Sequence, residues 1–378
     1  MAVHLLIIGL LSKRFLKENF KGGFKYFIIM ASSAAILYPV LWGNIVLTAY
    51  VFLLAFFTFY KSEKKALREL SLICLCIAGI LKLYIFLFGI FLLKEKKFKE
   101  ILRCVLYTAI LAFVPFLFYE GGFSNIPLYI SNLFNFATDY NRFLPTNFSI
   151  QAGFYSLFIT FFNDDALYFL GDISLSLVAI VFIMTIICSL ITKSDFKRAL
   201  MVSFTSCLVP SVSYYHSAII FLIPLLYFFK EFDNLTLNKR AFYFFVFFIT
   251  TFALIIAALS LTVLHTYIML LALFIEYIDI LSSKASDKKI MFLEGSELNL
   301  KCDRIKKTRL FYLVSAIILT IIYLLIFILY RLTPGDIPAE NLIPAFKPVF
   351  MAIYAVLTAG FISVIAVYLA EKIKVKKH

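Results

Sequence analysis

Apolar stretches of about 12 to 25 residues, each closed by a short polar cluster, recur along the whole chain and leave few folds open to it. A backbone surrounded by hydrocarbon must bond to itself, so such stretches are read as helices packed in a membrane. The balance of residue types agrees: 63% hydrophobic and 18% aromatic against 15% charged is outside the range of soluble domains. The expected fold class is all-α, a polytopic integral membrane protein with about 11–13 transmembrane or re-entrant helices.

The net charge of +14 raises the question of a nucleic-acid surface, and its distribution answers it. All of the 36 Lys and Arg residues except Lys82, Arg142, Arg331 and Lys347 fall in clusters at 13–25, 61–68, 94–103, 193–198, 230–240, 284–309 and 372–377. The loops between them carry Glu120, Asp139, Asp164, Asp165, Asp172, Asp336 and Glu340. Basic loops alternating with acidic ones follow the positive-inside rule, which makes the clusters cytoplasmic and the other loops external. The partners to expect are therefore membrane lipids and no nucleic acid. The C-terminus reads as cytoplasmic and the location as a multi-pass cell membrane, with a prokaryotic plasma membrane the natural assignment.

Alternating sidedness places helices or half-helices at 1–12, 26–41, 44–60, 67–81, 83–93, 101–119, 172–192, 199–210, 217–229, 241–262, 264–281, 309–331 and 349–370. This gives a membrane core over 1–281 with a long external loop at 120–172, a cytoplasmic loop at 282–308, and two last helices with a basic tail over 309–378. Both ends of 66–94 are basic, yet the span is too short for two crossings, so the chain must turn part-way, near Lys82. The same charge pattern runs the first helix from outside to inside. Either an odd number of helices precedes Met1, or residues 1–12 form a short interfacial helix; as a signal peptide the segment lacks a basic front.

The cysteines at 74, 76, 104, 188, 207 and 302 avoid the external loops, so no disulfide is expected. Cys74 and Cys76 are two apart on a helix and do not face each other, which argues for packing rather than ligation. There is no P-loop, HExxH, G-x-S-x-G or Cys/His metal spacing, and neither a cofactor nor a metal is expected.

Three constellations face the external side: Lys82 in "LKLY"; the loop with Asp139, Arg142, "NFS" at Asn147 to Ser149, and the pair Asp164 and Asp165; and "VPSVSYYHSAIIFLIPLL", where Pro210 breaks one helix and His216 opens another. A cation near the membrane surface suits a lipid-linked phosphate, and a carboxylate or imidazole suits a general base toward an acceptor hydroxyl. Each element has a plainer reading. Lys82 snorkels from a helix end, His216 caps a helix, and Asp164 with Asp165 caps the helix that follows. The "NFS" sequon recurs by chance.

The block "CIAGILKLYIFLFGIFLLKEKKFKEIL" resembles the region of glycosyltransferase family 87 in which a helix ends in Lys, then Leu or Pro, Tyr and Pro, before an apolar helix and a basic cluster. Upstream, "SSAAILYPVLWGNIVLTAYVFLLAFF" is similar to the family's Gly-Asn segment at the head of a helix. Downstream, "NFSI" is similar to its Asn-x-Ser-Leu loop, and "SVSYYHSAIIFLIPLL" to its Ser-Trp-x-His segment. The order agrees from about residue 31 to 230. The resemblance implies a GT-C-like membrane core that transfers a sugar, commonly mannose, from a polyprenyl-phosphate donor to an external glycolipid or glycan acceptor. It also implies that Lys82, Gly43, Asn44, Asn147, Ser149 and His216 surround the donor, with Arg142 nearby. A transporter or flippase of a lipid-linked precursor, or an inactive or partner-dependent fragment, is the alternative. Ile85 stands where the family often has Pro, Trp42 where Arg often precedes Gly-Asn, Ser211 where Pro is usual, and Tyr214 where Trp is usual. The resemblance to GT-C enzymes, which generally place the catalytic Asp in the first external loop, implies such a residue here too, yet nothing before residue 120 supplies an external carboxylate. The N-terminal part therefore looks missing, and Asp139, Asp164 and Asp165 are left as candidate bases.

Overall fold

The computed structural model describes residues 2–17, 30–31, 33–41, 43–138, 147–158, 164–232, 235, 237–252 and 262–286, and the regular structure among them is entirely helical. The elements are α1 (Ala2–Leu16), α2 (Ala34–Leu41), α3 (Val46–Phe59), α4 (Lys65–Leu81), α5 (Ile90–Lys94), α6 (Phe98–Phe113), α7 (Ile126–Thr138), α8 (Ile150–Phe158), α9 (Asp164–Ile191), α10 (Asp195–Leu208), α11 (Leu222–Glu231), α12 (Leu237–Phe247) and α13 (Thr262–Ser286). Two 3-10 helices, Leu83–Gly89 and Tyr215–Phe221, lead directly into α5 and α11. The expected loop 282–308 lies outside the described residues except for 282–286, which continue α13; the final helices and tail also lie outside them.

Among the described residues, two helical stretches are long and apolar enough to cross a bilayer, Phe98–Phe118 and Ser174–Ile191. The first has almost no buried residues and turns its Leu and Phe side chains outward, which in a membrane means toward lipid. The second belongs to α9, which begins at Asp164 rather than at 172 and spans about 42 Å at 1.5 Å per residue. The acidic pair expected in a loop thus opens the helix, where the N-terminal end of the helix dipole favours negative charge. Helix α1 is packed along α3 and α11 rather than lying apart from the bundle: Arg14 sits over the Phe59 ring at 4.7 Å, and Phe15 meets Tyr227 edge-on at 4.9 Å.

The basic clusters of the described residues gather at one end of the bundle. Lys61, after α3, pairs with Glu95 after α5 at 3.0 Å and with Asp195 at the start of α10 at 3.0 Å, while Lys97 holds the other oxygen of Glu95 at 2.6 Å. Arg198 is almost wholly buried at this end. It donates to the Ser189 and Thr192 carbonyls at 2.9 and 2.7 Å and pairs with Asp195, so it closes the C-terminus of α9, whose last carbonyls have no partner within the helix. Ser194 caps α10 by accepting from the Lys197 N–H, and its hydroxyl reaches Glu231 at the end of α11.

From this end α4 and α10 run to the opposite end, and each folds back as a 3-10 helix followed by a short α-helix. Lys82 makes the first turn in an extended conformation, φ −148° and ψ 101°. The hairpin closes tightly because Gly79 has no side chain: a Cβ there would stand 2.4 Å from the Phe86 ring. Breaking a helix at membrane depth frees carbonyls that need donors, and polar side chains of a neighbouring helix can supply them. Helix α10 does so. Ser206 Oγ donates to the Tyr84 carbonyl at 3.2 Å, Ser203 Oγ to Ile220 at 3.3 Å, and Cys207 Sγ to Ser217 at 3.6 Å. Residues 203, 206 and 207 share one face at i, i+3 and i+4 spacing, and α10 is buried throughout from Phe196 to Leu208 apart from Lys197. It is the post on which both hairpins are seated.

Candidate functional site

The end opposite the basic clusters collects most of the residues singled out from the sequence. Gly43 turns the chain at φ +59°, a left-handed conformation that favours glycine, and the Asn44 side chain then accepts from the Val46 N–H at 3.0 Å at the head of α3. The Gly-Asn pair thus has a structural job. It joins α2 to α3, and both of these helices pack on the 3-10 helix that carries His216.

Asn147 and Ser149 are buried and bonded to the 211–213 loop. The Asn147 amide donates to the Ser211 carbonyl at 2.7 Å, and its oxygen accepts from the N–H groups of Ser149 at 3.0 Å and Ser213 at 2.9 Å. Ser149 Oγ donates to the same Ser211 carbonyl at 3.2 Å and accepts from the Ala152 N–H, capping α8, while Phe148 N–H donates to the Ser213 carbonyl at 3.0 Å. These residues clip "NFS" to "PSVS" and so fix the approach to His216. With its amide engaged and only 2% of its surface exposed, Asn147 in the folded protein is no acceptor for glycosylation.

Lys82 and His216 are both half-buried at the two hairpin turns, and His216 lies within electrostatic reach of the Lys82 ammonium. No carboxylate among the described side chains, which exclude those of Asp164, Asp165 and Asp172, faces Lys82. The two turns are tied together by Tyr84, whose phenol donates to Ser217 Oγ at 3.2 Å. A half-buried ammonium beside an imidazole, without a protein counter-ion among the described side chains, is chemically a seat for an anion.

Asp139 and Arg142 lie outside the described residues. Asp164 and Asp165 occupy the first positions of α9. Seven of the described carboxylates are engaged elsewhere: Glu95, Asp195 and Glu231 at the basic end, Glu69 and Glu100 with Arg103, and Glu276 and Asp279 with Lys197 between α10 and α13. Among the described residues no group of three or more His, Cys, Asp or Glu could hold a metal ion.

The sequence reading passed over Tyr84, Ser213, Ser217 and His265. Tyr84 stood in the quoted "LKLY", but its partner is 133 positions away. His265, in the first turn of α13, is 5% exposed and packs its ring on Phe148 at 5.8 Å, while Phe148 meets Tyr215 at 5.4 Å. Its Nε2 finds no hydrogen-bond partner among the described residues. A lone histidine in an apolar stretch carries no signal of such a position.

The family model of glycosyltransferase family 87 matches residues 1–211, a span that contains Gly43, Asn44, Lys82, Asn147 and Ser149 and ends at Ser211, in the loop leading to His216. No curated protein matches the chain, and no solved structure does.

Proposed function

The chain belongs to glycosyltransferase family 87, and from that premise we propose that this membrane glycosyltransferase takes its sugar, a hexose and in the first instance mannose, from a polyprenyl-phosphate donor. The acceptor is a glycolipid or glycan on the external side, with the basic end of the bundle in the cytoplasm and the protein spanning the cell membrane several times. The observation that carries the reading is Lys82. Its ammonium is half-buried at a helix break, next to His216, and faces no carboxylate among the described side chains. Keeping a cation there is costly unless an anion comes to it, and the phosphodiester of a polyprenyl-phosphate sugar at the membrane surface is such an anion.

In the proposed reaction the oxygen of an acceptor hydroxyl bonds to the anomeric carbon of the donor. The bond from that carbon to the phosphate oxygen breaks and its electrons leave with the phosphate, giving free polyprenyl phosphate. Lys82, with His216 and Arg142, stabilises the charge growing on the phosphate, and the hydroxyl proton passes to a carboxylate, for which Asp139, Asp164 and Asp165 are the candidates. Gly43, Asn44, Asn147 and Ser149 serve this site by holding the segments around it.

The test is to incubate the purified protein in detergent with a sugar-loaded polyprenyl phosphate and an acceptor glycan. The expected result is release of free polyprenyl phosphate matched by glycosylated acceptor, with Lys82→Ala slower by about 100-fold, the usual cost of removing one charge-stabilising donor. Unchanged turnover in Lys82→Ala refutes the assignment. An intact donor in detergent that is moved only across a sealed membrane points to a flippase instead.

A further inference from the structure

The two hairpins have the same construction. In each, a helix from the basic end (α4 or α10) reaches the opposite end and passes through extended residues, Lys82 in one and Tyr214 in the other. A seven-residue 3-10 helix follows, Leu83–Gly89 or Tyr215–Phe221, and then a short α-helix that ends in Lys94 or in Lys230–Glu231. Lys82 immediately precedes the first 3-10 helix, and His216 is the second residue of the other. Neither turn is held by side chains of its own hairpin alone, because a 3-10 helix leaves its flanking carbonyls poorly satisfied.

Tyr84 is the residue through which the two turns meet. Its carbonyl accepts the Ser206 hydroxyl of the shared post α10 at 3.2 Å, and its phenol donates to Ser217, the neighbour of His216, at 3.2 Å. The post holds the second hairpin as well, through Ser203 to Ile220 and Cys207 to Ser217. Ser217 is thus fixed on both sides: its carbonyl bonds to the post and its hydroxyl to the first hairpin. We propose that Tyr84, acting through Ser217, is a positioning residue that sets the separation of Lys82 from His216. The proposal rests on the assignment of these two residues to the donor phosphate, but the brace can be measured without it.

A phosphate held by two groups on different segments needs both at a fixed separation, and a misplacement of about 1 Å can cost on the order of 100-fold in rate. Tyr84→Phe is the sharpest variant, since it keeps the ring and the backbone carbonyl bonded to Ser206 and removes only the bond to Ser217. Ser217→Ala removes the same bond from the other side.

Two readouts are taken on the full chain in nanodiscs. The first is the ring signal of His216 in isotope-labelled protein, which carries 4 histidines in all and is assigned with His216→Gln. The titration midpoint of His216 is measured with and without Lys82→Met, in the wild-type and in the Tyr84→Phe background. The expected result is a clear displacement by Lys82→Met in wild type that falls to less than half when Tyr84→Phe is present. Equal displacement in both backgrounds overturns the proposal. The second is transfer from the sugar-loaded polyprenyl phosphate. Tyr84→Phe, Ser217→Ala and the double variant are each expected to lower kcat by about 10-fold and to match one another, because they remove one shared bond. Multiplicative losses, or none, overturn it. If Lys82→Ala leaves donor cleavage unchanged while the His216 signal still shows the brace, the donor reading fails and the positioning role stands.

Discussion

Replacing Asn147 with alanine distinguishes a clip from a ligand contact. The side chain is 2% exposed and its hydrogen bonds include three that clip the loop: from its amide to the Ser211 carbonyl, and to its oxygen from the N–H groups of Ser149 and Ser213. Truncation leaves the Ser211 carbonyl with the Ser149 hydroxyl, but it strips two N–H groups of their only bonded acceptor. An unsatisfied buried donor costs about 1–3 kcal/mol. Two of them, after partial relaxation of the loop, come to about 3 kcal/mol. At about 2–4 °C per kcal/mol, Asn147→Ala should lower the midpoint of thermal unfolding, followed by circular dichroism in detergent, by about 6–12 °C. Asn147→Asp keeps the acceptor but turns an anion toward the Ser211 carbonyl, and should cost at least as much. Lys82→Ala in the same assay should stay within about 2 °C of wild type, since no carboxylate among the described side chains is left unpaired by it. Loss of transfer in Asn147→Ala with an unchanged midpoint would refute the clip and return Asn147 to the substrate.

His265→Phe should raise the unfolding midpoint while keeping the tilted ring contact with Phe148, because replacing a buried imidazole nitrogen that has no partner among the described residues by carbon removes a penalty of about 1 kcal/mol or more; a lower midpoint contradicts this. At the basic end, burial pushes the Glu95 carboxyl up, but hydrogen bonds from Lys97 and Lys61 outweigh it and hold the group below the ordinary carboxylate range. Its stabilisation is therefore present above about pH 4.3 and lost as the pH falls below that. The gap in midpoint between wild type and Glu95→Gln should be widest near neutrality and close in acid, and a gap independent of pH from 7 to 3.5 would rule this out.

The all-helical membrane class and the grouping of basic ends among the described residues were legible in the sequence, because apolar length and the side preference of Lys and Arg are properties of short windows. The expected break at Lys82 was legible for the same reason: too few residues lie between two basic clusters for two crossings. The start of α9 was not, since the apolar signal begins only after Asp172 while the helix begins at Asp164, and an acidic pair reads equally as loop or cap. Gly43–Asn44, Lys82 and Asn147–Ser149 were visible as words that resemble the family's, but what each one does was not.

That division has a physical cause. Sequence patterns report how a residue meets water or lipid, and hydrogen bonds across the bundle leave no such trace. Asn147 finds its partners 64 and 66 positions away, Tyr84 finds Ser217 after 133, and Ser206 reaches the Tyr84 carbonyl across 122. The chain by itself determined that there would be a hairpin at Lys82 and a helix start at His216. Only the tertiary structure decided that both would be seated on α10, because two broken helices release carbonyls that the Ser203, Ser206 and Cys207 face of that one helix can satisfy together.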